Sequence, residues 1–197
     1  MNMIVAFDIM GVLFPEAHIV RNGLMKVLPN RDYSTVKHFY NLYTLGRISR
    51  EEFWSGLNIK DFEKVERKFL DLFDIDKDIF DVLEYLNRKY RLGIITNHTT
   101  EWFEYLDKKF GFSKFFSVVI ISSEVKERKP SSRIFKIFLK RANVSGNEVY
   151  FIDDKLENLK SASQLGIKTI WLKREEQKNE FKPDFFITRL CQMKEIL

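Results

Sequence analysis

A chain of 197 residues is long enough for one substantial core with at most a small appended unit, and too short for two full-sized domains. Its 33 Lys and Arg are interleaved with 28 Asp and Glu, so the net charge of +5 describes a mixed, solvated surface and excludes a dedicated nucleic-acid stripe. One cysteine, Cys191, excludes an internal disulfide and fits a reducing compartment.

Along the chain the first signal is the apolar run Ile4 to Phe7, read as a buried strand that ends on Asp8 and a glycine turn at Gly11. The apolar stretch from Met3 to Pro15 is interrupted by Asp8 and has no basic leader. Neither a signal peptide nor a membrane partner is expected, and the cytoplasm is the expected compartment.

From Pro15 to Asp76 only helical patterns follow. Val36, Phe39, Tyr40 and Tyr43 share a face before Gly46. Ser49 and Glu52 have capping-box spacing ahead of Phe53, Trp54 and Leu57, and Phe62, Val65, Phe69 and Leu72 come next. This segment, residues 15–76, is read as a small all-helical cap inserted after strand one. Residues 1–14 and 77–197 form the remaining α/β core.

In the core, β-rich runs at Leu92 to Ile95, Val118 to Ile121, Val149 to Ile152 and Thr169 to Leu172 alternate with helical faces. Ile79, Val82, Leu83 and Leu86 make one face and Ile134, Phe138 and Ala142 another. Leu156, Leu159 and Ala162 make a third, which stops at Gly166. The alternation predicts a doubly wound, Rossmann-like parallel sheet of about five strands with helices on both faces. The insert leaves from the C-terminal edge of strand one, the side on which open α/β sheets bind ligands.

Polar residues stand where these strands end: Asp8 after the first, Thr96 and Asn97 after the second, Asp153 and Asp154 after the fourth. Parallel strands put those ends on one edge. Three carboxylates gathered there repel one another unless a cation sits between them, and an all-oxygen site suits Mg2+. Each residue also has a plainer role: an Asp at a strand end caps or turns the chain, and Thr96 or Asn97 could cap the helix starting near Thr100. Lys129 precedes Pro130 and a helix capped by Ser131 or Ser132.

The combination resembles the haloacid dehalogenase superfamily, in the branch with a helical cap after the first motif. "VAFDIMGVLF" is similar to its first motif, "LGIITN" to its second, "SSEVKERKPSSRIF" to its third and "VYFIDDKLENLKSASQLGIKTIWL" to its fourth. The cap stretch "LGRISREEFW" points toward relatives resembling sugar-phosphate phosphatases. The resemblance implies a Mg2+-dependent phosphoric monoester hydrolase acting on a small phosphorylated metabolite, as a monomer or homodimer.

Carried over by residue, it implies that Asp8 is the nucleophile. Thr96 and the Asn97 backbone N–H hold the phosphoryl group, and Lys129 neutralises charge. Asp8, Asp154, Asp153 and the backbone carbonyl of Met10 surround the metal, with Asn158 in support. Gly11 and His98 are further expected to face the substrate.

One position departs from the pattern. The residue two after the nucleophile is normally a second Asp that protonates the leaving group and then activates water; here it is Met10. Its carbonyl can still serve a metal, but general acid and base work, generally worth about 10²- to 10⁴-fold, is lost. Three outcomes fit: a phosphatase for good leaving groups, a substitute proton carrier for which His98 is the nearest candidate, or a phosphate-binding protein without turnover. In the third motif Lys126 occupies a place where Gly is common, either adding charge for a multiply charged substrate or facing water. Tyr43, Phe53 and Trp54 could line a pocket or pack in a core.

Overall fold

Each apolar run of the core becomes a strand of one parallel sheet. The computed structural model describes residues 3–178 and 180–197. Its strands are β1 (Ile4–Phe7), β2 (Arg91–Thr96), β3 (Val118–Ile121), β4 (Val149–Asp153), β5 (Lys168–Leu172) and β6 (Phe185–Ile187). They lie in the order β3-β2-β1-β4-β5-β6, and every neighbouring pair is parallel.

The chain therefore has one strand more than the sequence pattern predicts. β6 is three residues long and exposes Phe185 and Phe186, so it shows neither alternation nor a continuous buried run. It is held by pairing with β5 and by Asp184, whose carboxylate accepts from the Thr169 N–H and hydroxyl, each at 2.7 Å.

Side chains of β1 alternate between the two faces. Val5 and Phe7 enter one apolar cluster, and Ile4 and Ala6 enter the other, which is closed by α8 (Ser132–Ala142) and α9 (Leu156–Ser163). Strand order reverses at β1, with β2 on one side and β4 on the other, which opens a crevice at their C-terminal ends. Phe7 pairs with Ile152, and the Asp8 N–H donates to the Ile152 carbonyl at 2.9 Å, so Asp8 and Asp153 emerge at the same level.

Between β1 and β2 the regular elements are all helical. A π-helical turn (Ile19–Leu24) precedes α1 (Met25–Val27), α2 (Tyr33–Thr44), α3 (Arg50–Gly56), α4 (Phe62–Leu70) and α5 (Ile79–Asn87). Asp32 caps α2 by accepting from the Thr35 N–H at 2.8 Å, and Ser49 with Glu52 forms the reciprocal capping box on α3. The Asp76 N–H donates to the Leu13 carbonyl at 2.7 Å, which brings the two ends of the insert together.

The remaining helices are α6 (Thr100–Phe110), α7 (Ser122–Val125) and α10 (Met193–Ile196). Trp102 on α6 packs against Tyr43, Phe53 and Phe69 of the insert. Buried Glu66 accepts from Trp102 Nε1 at 2.7 Å and from Trp54 Nε1 at 3.1 Å, and pairs with Arg50. Tyr43, Phe53 and Trp54 thus belong to the core that joins insert and sheet; they do not line the cleft. Their helical spacing turns them inward toward Trp102. No helix among the described residues is long and apolar enough to cross a membrane.

Candidate active site

The crevice at the strand ends is a cavity of about 740 Å³ bounded by the sheet edge, α2 and the loop before α8. Lys129 is at its base, with its side chain fully buried. The ammonium lies 2.8 Å from Asp8 Oδ1, 2.7 Å from Asp153 Oδ2 and 5.1 Å from the centroid of the Phe151 ring. Burial alone lowers the Lys129 pKa, but Asp153 and Asp8 outweigh it and hold the group above its ordinary value. The lysine is a fixed positive charge beside the carboxylate expected to be the nucleophile.

Two asparagines set this arrangement. Asn97 reads both main-chain groups of Lys129, with Oδ1 accepting from its N–H at 2.8 Å and Nδ2 donating to its carbonyl at 2.9 Å. Asn158 Nδ2 donates to both oxygens of Asp153 at 3.0 Å, and Asp153 Oδ1 also accepts from the Lys155 N–H at 2.7 Å. Asp153 therefore spends its oxygens on Lys129, Asn158 and the next turn of backbone. The side-chain role of Asn97 was not legible in the sequence: a strand-end Asn signals a cap, whereas here Thr99 is the cap and accepts from the Trp102 N–H at 3.3 Å.

Asp8, Asp153 and Asp154 each offer a carboxylate oxygen within 4.8 Å of the others. Burial raises the Asp8 pKa to about 7; Lys129 opposes this, and the two neighbouring aspartates add to it. Burial, with help from Asp153 and against Lys155, raises Asp154 to about 6. The buried Oδ2 of Asp154 is 3.1 Å from Lys155 Nζ, but no donor is aligned with it for a hydrogen bond. Three clustered carboxylates, one with an oxygen that accepts no hydrogen bond, are what a hard divalent cation satisfies, so the donor set fits Mg2+.

Gly11 has φ +86°, and a Cβ there would collide with the Asp154 carboxylate, so only glycine allows this turn to approach so closely. Its N–H donates to the Phe14 carbonyl at 2.7 Å and its carbonyl accepts from Arg174 Nε at 3.0 Å. Gly11 thus packs the turn against Asp154, and the residues lining the cleft do not include it. Met10, 7% exposed, does line it. Its neighbours Ile9 and Gly11 make the bridge to Phe14, which leaves the Met10 carbonyl outside that pairing.

His98 lies beside Trp102. It is 2% exposed and edge-on to that ring at 5.8 Å, and its Nδ1 accepts from the Thr99 N–H at 3.0 Å. Burial lowers its pKa to about 4, so it is neutral at pH 7 and does not line the cleft. Thr96 and Asn97 do line it. Lys126 is exposed with φ +56°, the backbone state that explains why Gly is common there, and it lies outside the cleft.

The sequence model described as haloacid dehalogenase-like hydrolase matches residues 5–172. The chain belongs to that family. The chain is 39% identical over 87 residues to a glyceraldehyde 3-phosphate phosphatase of Pyrococcus abyssi, a match covering 43% of this chain and 36% of that one. It is 26% identical over 196 residues to the protein of the same name in Methanocaldococcus jannaschii, covering 95% of this chain and 82% of that one. For the first relative, the matched stretch is thus about a third of its length.

The fold also superposes on a HAD family enzyme from Bacteroides thetaiotaomicron with a TM-score of 0.74 and 23% identity, covering 90% of this chain and 97% of that one. That structure is a complex with magnesium and inorganic phosphate.

Proposed function

We propose that this hydrolase is a Mg2+-dependent phosphatase that acts on a small phosphorylated metabolite through an aspartyl-phosphate on Asp8, with residues 15–76 serving as a cap over the cleft. The observation that carries the reading is the pairing of Asp8 with a fully buried Lys129 at 2.8 Å, beside an Asp154 carboxylate with an unaligned oxygen. The phosphatase relatives and the magnesium and phosphate in the Bacteroides complex support it.

In this reading Asp8, Asp154 and the Met10 carbonyl hold Mg2+, and Asp153 contributes charge while it fixes Lys129. When bound, the ion supplies positive charge that offsets the carboxylates and the phosphoryl oxygens. An Asp8 oxygen attacks phosphorus, and the bond to the leaving oxygen breaks with its electron pair. Lys129, the Thr96 hydroxyl and the Asn97 backbone N–H stabilise the equatorial oxygens, which is most of what phosphoryl transfer requires. Water then attacks phosphorus, the P–O bond to Asp8 breaks with its electron pair, and Asp8 is returned as a carboxylate while inorganic phosphate leaves and the water proton passes to solvent. Met10 carries no proton for either step, so leaving groups that depart without protonation, such as anomeric, acyl or aryl phosphates, are favoured.

The competing reading is a phosphate-binding protein without turnover, and the Met10 side chain at the cleft wall favours it. Incubation with Mg2+ and a panel of aryl, acyl and sugar phosphates separates the two. Phosphate release that disappears in Asp8→Asn is the expected result. Release from no substrate above background would leave the binding protein.

A further inference from the structure

The cleft is more cationic than a single phosphoryl group requires. Lys129, Lys155, Lys37 and Arg128 all line it. Two of them are matched: Lys129 by Asp8 and Asp153, and Lys155 by Asp154 at 3.1 Å and Glu175 at 3.4 Å. Lys37 and Arg128 make no ion pair among the described residues.

Neither is a free surface cation. Lys37 is half-buried on α2, its ammonium 5.2 Å from the Tyr40 ring centroid. Burial lowers its pKa first, and the charges of Arg128 and Lys155 lower it further, so Lys37 lies within the field of both. Arg128 directly precedes Lys129, and its NH1 donates to Asn41 Oδ1 at 3.0 Å and Thr44 Oγ1 at 3.3 Å, both on α2. Neutral acceptors hold the guanidinium in place without offsetting its charge. The cleft's acidic group outside the aspartate cluster, Glu157, is exposed and pairs with neither cation.

Two uncompensated like charges fixed in one recess are relieved by an anion. A guanidinium anchored by one nitrogen can still present its remaining donors to a carboxylate or phosphate.

We propose that Lys37 and Arg128 form a second anion subsite beside the phosphoryl site, so that the substrate is a short phosphorylated metabolite carrying a second anionic group, a carboxylate or a further phosphate. This deepens the phosphatase reading and rests on its assignment of the phosphoryl site at Asp8 and Lys129. Of the two readings open for Lys126, facing water is the one its exposure fits; the cations that line the cleft are Arg128, two residues later, and Lys37 from the insert.

The test needs no turnover. Binding of three carbon–phosphorus analogues, which cannot be hydrolysed at a P–O ester, is measured by calorimetry on the whole protein in Mg2+ buffer. They are propylphosphonate, 3-phosphonopropionate and propane-1,3-diphosphonate. The expected result is tighter binding, by about tenfold or more, of one or both probes with a second anionic end over propylphosphonate, and the preferred one identifies the second group. In Lys37→Met and in Arg128→Gln, each checked by thermal melting for a folded protein, that ratio falls toward one.

Equal affinities for the three probes in the wild-type protein overturn the subsite, as does a preference that survives both substitutions. Equal weakening of all three probes also overturns it, because it would mean that the two cations serve the phosphoryl group itself. Failure of all three to bind overturns the phosphoryl site along with it. Loss of the phosphatase reading alone is seen separately, in the Asp8→Asn assay.

Discussion

At the residue scale the open matter is proton transfer. Met10 occupies the cleft wall where the rest of the family pattern places an acid, and His98, the nearest titratable candidate in sequence, is turned into the core and neutral. Nothing in this arrangement disturbs Lys129 on Asp8, so charge stabilisation persists while acid and base work does not. Met10→Asp would restore both the acid for the leaving group and the base for water, so it is expected to raise kcat on alkyl phosphates by about 100-fold or more and on aryl phosphates less, because only their second step gains. Steady-state kinetics on a matched alkyl and aryl pair checks it. No gain on the alkyl substrate would show that protonation of the leaving group does not limit the wild-type protein. Asp8, Asp153 and Asp154 were legible from strand ends alone, because parallel strands bring their termini to one edge. The clamp that positions Lys129 was not, since nothing in the spelling of Asn97 distinguishes a helix cap from a partner of the Lys129 main chain 32 residues away.

At the element scale the insert is tied to the sheet domain by a buried acid. Glu66 on α4 receives two indole N–H groups, one from α3 and one from α6, and also pairs with Arg50. The helices of the insert were readable from their periodicity and from the Ser49 capping box, but this clamp was not: a Glu in an amphipathic helix is usually solvated, and only the tertiary fold brings Trp102 to it. Removing one member of a buried, fully hydrogen-bonded set strands the others. Glu66→Ala is accordingly expected to destabilise the protein by about 3 to 4 kcal/mol. Glu66→Gln, which keeps one acceptor for both indoles but loses the charge and the hydrogen bonds toward Arg50 because its amide NH2 group then faces the guanidinium, should cost less than Glu66→Ala. Urea unfolding of the two variants measures both values. Losses in both below about 0.5 kcal/mol, the range of ordinary surface substitutions, would mean that aromatic packing around Trp102 holds the insert without Glu66.

At the scale of the whole molecule, the sheet was legible because each strand buried on both faces reads as a continuous apolar run, whereas β6, at the edge, is specified by pairing and by Asp184 rather than by its own pattern. The same burial that makes the core legible sets how stability follows pH. Asp8 and Asp154 have pKa values raised to about 7 and about 6, so without metal the folded state binds more protons than the unfolded chain, and their contribution falls as pH rises through that range. His98 acts with the opposite sign. Its folded value is about 4 against an ordinary 6.5, so between those values the unfolded chain binds the extra proton and the histidine contribution is lost as pH falls. The shift corresponds to about 3 kcal/mol between pH 7 and pH 4. Because the aspartates are common to both proteins, the difference in unfolding free energy between wild type and His98→Asn isolates this term; Asn keeps an acceptor for the Thr99 N–H. The wild-type advantage over the variant should shrink steadily from pH 6.5 to pH 4 and then level off. An advantage that stays constant across that window would show that His98 gains its proton within the folded protein, by a local opening around Trp102 that leaves the sheet intact.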